Sequence, residues 1–377
     1  MTEESGESGI TEKRVSWAEL LFDLVFVLCV TQVSALLHAH HDWRGLLHAF
    51  VVLVPVYWTW VGTSVLADIT DTETPRGRLG IFAIGLTGLF LALALPQAYG
   101  SRGLLFGAAY LAARWLLAAQ IKLGEGTLVG PMGVGAFLTG PLLLAGGLVD
   151  GWPRTALWGV AAAADLATPL AVRRKLLHIP FHPQHLPERF GLFLIIALGE
   201  TLVSIGIPVA SSARVTAAEL VAVTLAYVLV CALWWVYFHY AADAMRHAMR
   251  TAAVPTDIVR QVLSYGHLSL VTGVIGVAAG ISAAVTHPDR LLGVQTAILL
   301  FGGTALYLAT FEYTRYRMFR LHSTTRLAGA AGVAVAAPLA AVLPSAGCLA
   351  LMAALVVALN IWEFHRVRAQ QGARGTA

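Results

Sequence analysis

Charge is scarce in this chain. Only 12% of its residues are Asp, Glu, Lys or Arg, against roughly a quarter in soluble domains, which excludes a globular cytoplasmic protein. Cysteine is scarcer still. Cys29, Cys231 and Cys348 all fall in apolar runs, where each reads as a small buried hydrophobe, and their spacing does not support redox or metal work. No Gly-rich phosphate loop and no serine nucleophile elbow stand out. Met1 to Thr11 is polar and acidic with no apolar core, so it reads as a tail and not as a cleaved signal peptide.

What the chain does have is apolar length. Hydrophobic residues make up 58% of it, and a bilayer core takes about 20 apolar helical residues per span. Spans are expected near 17–37, 46–67, 79–98, 103–122, 127–148 and 155–171, and again near 189–209, 217–241, 262–285, 291–314, 327–343 and 347–365. The fold class that follows is all-α, a polytopic bundle of twelve membrane helices. Sorting the basic residues with the N-terminus inside puts 19 on the cytoplasmic side and 5 outside, with Arg114 left within a span. That is a positive-inside distribution with both termini cytoplasmic, and it explains the net charge of +4 without nucleic acid as a partner. The expected location is the inner membrane, the partners being the lipid bilayer and a small molecule or ion. Oligomeric state is not legible.

The two halves echo each other in order. Ala67-Asp68 after Trp58 and Trp60 matches Ala242-Asp243 after Trp234 and Trp235, and Leu105-Phe106-Gly107 with Tyr110 matches Leu300-Phe301-Gly302 with Tyr307. Pro141-Leu142 matches Pro338-Leu339, and Ala164-Asp165 sits where Leu359-Asn360 does. Six spans per copy make two parallel repeats. The organisation read from this is a polar tail over 1–16, a first six-helix repeat over 17–171, a cytoplasmic linker over 172–187, a second repeat over 188–365 and a polar tail over 366–377.

The few acids are placed conspicuously. Glu19 and Asp23 stand four residues apart on one face of the first span, Asp23 a turn deeper. Asp68 ends the second span, with Asp71 and Glu73 just beyond. Glu188 opens the seventh span, and Glu200 follows about 18 Å later, near the bilayer midplane. Asp243 with His239 ends the eighth span, His267 starts the ninth and Glu312 ends the tenth. Glu19 and Glu188 can be explained as caps of helix N-termini. Asp68, Asp243 and Glu312 are at the wrong end of the dipole for that, though headgroup solvation would suffice. Asp23 and Glu200 have neither explanation, and an intramembrane acid is by default a functional candidate. Arg114 is the internal counter-charge expected for them, or half of a structural ion pair.

Other clusters are less specific. Asp68 and Asp71 with Glu73 offer hard-cation ligands, which would suit Mg²⁺. His38, His40, His41 and Asp42, and separately His178, His182 and His185, offer zinc-ligand types without the spacing of a closed site. Histidines of that kind also suit pH sensing.

Ser16-Trp17-x-Glu19-Leu20-x-Phe22-Asp23-Leu24-Val25-Phe26-Val27, followed by Glu188-Arg189-Phe190-Gly191-Leu192-Phe193 and Leu198-Gly199-Glu200, resembles the bacterial low temperature requirement A (LtrA-like) family. The resemblance covers essentially the whole chain after the tail. It implies a bacterial multispanning protein whose characteristic residues fall here on Glu19, Phe22, Asp23, Glu188, Arg189, Phe190, Gly199 and Glu200. It implies no established substrate or reaction.

Three functions remain open. The leading one is a proton- or cation-coupled transporter of a small solute with an inward-facing acidic site. Asp23, Glu200, Arg114 and His267 would form the substrate or ion site, and Glu19, Asp68, Glu188, Arg189, Asp243 and Glu312 the mouth or gate. The second is an intramembrane enzyme on a lipid or isoprenoid phosphate, using carboxylates bound to a metal such as Mg²⁺, with Arg114 or Arg189 on the phosphate. The third is a noncatalytic sensor or accessory protein.

Overall fold

A computed structural model describes residues 13–39, 43–123, 130–177, 179–212 and 214–375, excluding the side chains of 38, 39, 122, 123, 200, 208 and 370–375. Among the described residues the chain is helical, with a single antiparallel bridge between Leu291 and Pro344. We number the helices α1 (Trp17–Ala39), α2 (Trp43–Ile69), α3 (Pro75–Gln97), α4 (Gly103–Leu123), α5 (Pro131–Gly147) and α6 (Trp152–Ala171). Then come α7 (His185–Ala210), α8 (Ala217–Thr251), α9 (Pro255–Thr286), α10 (Val294–Phe319), α11 (Thr324–Ala341) and α12 (Ser345–Gly375). Ten of them are long and apolar enough to cross a membrane; the others are α5, which is shorter, and α6, which is less apolar.

Local chemistry sets the helix starts. Pro75 begins α3 behind Thr74, whose hydroxyl accepts from the Gly77 amide at 3.1 Å, and Thr216 with Glu219 forms a capping box at α8. Inside the helices Thr59 and Thr63 donate to the carbonyls four residues back, the usual way to satisfy a hydroxyl in an apolar medium. Four helices, α5, α8, α9 and α10, contain a π-helical stretch.

Packing follows one pattern twice. In the first half α1 packs on α2 and α3, α3 on α4, α4 on α5, α5 on α6, and α6 on α2. In the second, α7 packs on α8 and α9, α9 on α10, α10 on α11, α11 on α12, and α12 on α8. Gly273 and Gly303 let α9 and α10 cross closely, since a Cβ on either would come within 2.8 Å of the other's carbonyl. The halves meet along α1, α2, α7 and α9. In α2 89% and in α9 78% of the most apolar stretch is buried, against 28–56% in the other eight spans. These two helices are the centre of the bundle.

Of the boundaries that differ from the sequence expectation, two matter most for the buried polar groups. The seventh helix begins at His185, not at 189, because Pro187 occupies its first turn, where a missing N–H costs nothing. The ninth begins at Pro255 and not at 262, which draws Arg260 from the expected loop into the bundle, where it is buried.

Candidate functional site

Spacing brings the polar groups together. Glu19 and Asp23 on α1 stand at i and i+4, as do His185 and Arg189 on α7, while Trp60, Ser64 and Asp68 on α2 follow at i, i+4 and i+8. Each set forms one stripe on its helix. The three stripes converge into one network. Arg189 donates through Nη1 to Glu19 at 2.5 Å, through Nη2 to Asp23 at 3.0 Å and through Nε to the Ser64 hydroxyl at 2.8 Å. The Trp60 indole N–H donates to Asp23 at 2.7 Å. Phe22 and Trp60 lie beside the guanidinium, 5.6 and 5.9 Å from its centre, as weakly hydrated arginine favours.

His185 sits between two acids. Its Nε2 is 3.0 Å from Glu19 and its Nδ1 2.8 Å from Asp68. Asp68 also accepts the backbone N–H of His182 at 3.0 Å, and Glu19 accepts the hydroxyls of Ser16 and Thr72 at 2.9 and 3.0 Å. Glu19, Asp23, Asp68, His185 and Arg189 are all fully buried. Lys13 closes the edge, its ammonium donating to the carbonyls of Ala67, Asp68 and Thr70 at the end of α2. Burial pushes Lys13 below the ordinary lysine range, and the nearby Glu19, Asp68 and Asp71 carboxylates oppose that shift. One acceptor is left over: Asp23 Oδ2 is buried without a partner among the described residues.

The second centre lies within the first half. Arg114 on α4 donates to Asp165 on α6 at 3.2 Å and reaches the carbonyls of Trp58 and Pro131 only at 3.4 Å each. Tyr110 donates to Asp165, as does Thr139 at 2.9 Å. Gly135 makes room for this guanidinium, since a Cβ there would meet Nε at 2.0 Å. Arg114 is therefore not the counter-charge of Asp23. Arg189, expected at the mouth, takes that place, 166 positions from Asp23.

The remaining candidates disperse. The Glu200 side chain lies outside the described residues, as do His40, His41, Asp42 and His178 and the side chain of His38. His267 is buried apart from the acids, its Nε2 2.8 Å from the Tyr237 hydroxyl. Glu188 and Asp243 are exposed, and Asp243 pairs with Arg246. Glu312 pairs with His322 at 2.5 Å and accepts the N–H of Ser323, which precedes α11. Asp71 accepts the Glu73 amide at 2.9 Å in an exposed turn, so it does not join Asp68. Among the described residues no three His, Cys, Asp or Glu side chains are arranged to hold a metal ion. Reading the sequence missed Asp165 as a charge partner, His185 as a bridge and Lys13. The matching i, i+4 spacings of Glu19/Asp23 and His185/Arg189 were the available signal.

A cavity of about 320 Å³ lies on the other face of α2, between α2, α4, α6, α9 and the 173–181 segment. None of the five network residues lines it.

Comparison with known proteins gives a family. A family model described as bacterial low temperature requirement A protein matches residues 14–361. The uncharacterized protein RA0937 of Rhizobium meliloti (strain 1021) is 28% identical over 369 residues, 94% of this chain and 90% of that protein. No solved structure matches the chain.

Proposed function

Because the chain belongs to the bacterial low temperature requirement A family and is a multi-pass membrane protein, we propose that it is a proton-coupled carrier of a small solute. Its two halves, α1–α6 and α7–α12, are parallel six-helix repeats with cytoplasmic termini in the inner membrane, and α5 and α6 complete twelve spans. The ordered sequence echoes and the repeated packing pattern support this organisation.

One observation carries the coupling. Both ring nitrogens of His185 face carboxylate oxygens, and an ionised carboxylate only accepts hydrogen bonds. The His185, Glu19 and Asp68 set is satisfied only with one proton beyond those of a neutral imidazole. The charges say the same. Glu19, Asp23 and Asp68 against Arg189 and Lys13 leave one negative charge, and a proton on His185 or on the free oxygen of Asp23 cancels it. Apolar burial makes that neutral state the stable one. The network also ties α1 and α2 of one half to α7 of the other. Moving the proton changes the bond holding the halves together, which is what a coupled carrier requires.

Proteoliposomes incubated with a ¹³C-labelled bacterial metabolite extract test the reading, with retained species read by mass spectrometry under an imposed pH gradient. At least one species is expected to be retained in a gradient-dependent way, and Asp23→Asn is expected to abolish it. Retention no greater than in protein-free liposomes, for either direction of the gradient, overturns the reading. The metal-dependent enzyme is disfavoured because Asp68 spends its oxygens on His185 and the His182 amide and Asp71 points elsewhere.

A further inference from the structure

The cavity behind α2 has a distinctive chemistry. Its walls are mostly apolar, including Trp58, Val61 and Val65, and its charged lining residues are Arg114, Lys175 and Arg260, all cationic. Among the described residues no carboxylate lines it. Arg260 is the telling residue. It is only 5% exposed, and while its Nη2 donates to Asp257 at 2.7 Å, its Nε and Nη1 are buried with no hydrogen-bond partner among the described residues. It also has to share its acid, since Arg173 donates to both oxygens of Asp257 at 3.1 and 2.6 Å. Two arginines on one carboxylate, with Lys175 beside them, leave positive charge in excess.

Buried guanidinium donors without acceptors are costly unless an acceptor arrives. Water would satisfy the two N–H groups but would neither cancel the charge nor wet the apolar walls. An oxyanion on an apolar body does all three, because guanidinium matches carboxylate and phosphate geometry. The volume is at the low end of the roughly 300–1,000 Å³ of small-molecule pockets, too small for a two-chain lipid. The place fits as well: α2, α4 and α6 come from one half and α9 from the other.

We propose that this cavity is a binding site for small amphipathic organic anions, each a single carboxylate or phosphate on an apolar body, and that they are the carried solute. The identity of the cargo rests on the carrier reading above, whereas the binding site does not. Octanoate and octyl phosphate are titrated against the purified full-length protein in detergent, with octanol, octylammonium and inorganic phosphate as comparisons. Saturable binding is expected for the two amphipathic anions, at least about tenfold tighter than for the comparisons, as expected for hydrogen bonds to a buried charge. Arg260→Gln is expected to remove about that factor and Arg260→Lys less. Lys175→Gln, in an exposed position that cannot threaten the fold, is expected to weaken binding by a few-fold. Equal binding of octanol and octanoate, or wild-type affinity in both Arg260→Gln and Lys175→Gln, overturns the site. Binding of the anions without gradient-driven uptake by proteoliposomes keeps the site and removes the carrier. Gradient-driven uptake of other solutes with no binding of either anion removes the site and keeps the carrier.

Discussion

Arg189 and Arg114 are both buried in the same bundle, and they are held in opposite ways. Arg189 spends Nη1, Nη2 and Nε on two carboxylates and a hydroxyl within 3.0 Å and lies between halves. Arg114 has one carboxylate at 3.2 Å, two carbonyls at 3.4 Å, an Nε without a partner among the described residues, and a cavity beside it. At the first centre the surplus is an acceptor, Asp23 Oδ2; around the second it is donors, on Arg114 and Arg260. A spare acceptor in a dry site takes a proton, and spare donors take an anion. On the proposed reading, a carrier's two tasks, coupling and binding, are divided between the two faces of one central helix, α2.

The largest expected effect is on the first centre. Arg189→Ala leaves Glu19 and Asp23 buried without their cation, which costs about 3–5 kcal/mol, seen as a large fall in Tm in detergent. Arg189→Lys is expected to recover only part of it, because a lysine cannot span three acceptors in one plane. Arg114→Ala is expected to cost less, about 2 kcal/mol, since Asp165 keeps the Tyr110 and Thr139 hydroxyls. Equal losses from the two alanine variants would break the comparison.

Smaller effects sharpen it. Because burial lowers the Lys13 pKa from its ordinary 10.5, the unfolded chain binds more protons than the folded one between the lowered value and 10.5. In that window stability contributed by this group rises with pH, and the slope should vanish in Lys13→Met. Thermal unfolding across alkaline pH checks the sign. Asp71→Asn and Glu188→Gln, both exposed, are expected to leave Tm unchanged and the network intact.

Much of this was legible in one sequence. Ten of the twelve expected spans followed from hydropathy, and the pairing of Glu19 with Asp23 on one face followed from helical spacing. What could not be read was which helix faced that stripe. Pro187 read as part of a proline-rich linker, because Pro180, Pro183 and Pro187 are closely spaced, yet only the last sits in a helical first turn. That shift of one turn hid His185 and left Arg189 at the mouth. Arg114 and Asp165 failed for a different reason: an intramembrane arginine announces the need for an acid, while spacing within a helix cannot say which of several acids on other helices will meet it. The place of Arg260 was lost with the start of α9.

The central claim is that the network locks α7 to α1 and α2 through a movable proton. With Cys29 and Cys348 buried and Cys231 exposed, Cys231→Ser provides a background for spin labels at Arg76→Cys on α3 and Glu188→Cys on α7. Pulsed electron resonance distances in liposomes over a pH series read the lock directly. Two distances are predicted whose populations exchange with pH, and Asp23→Asn should fix the protein in one of them. A single distance, unchanged by pH and by Asp23→Asn, would contradict the account.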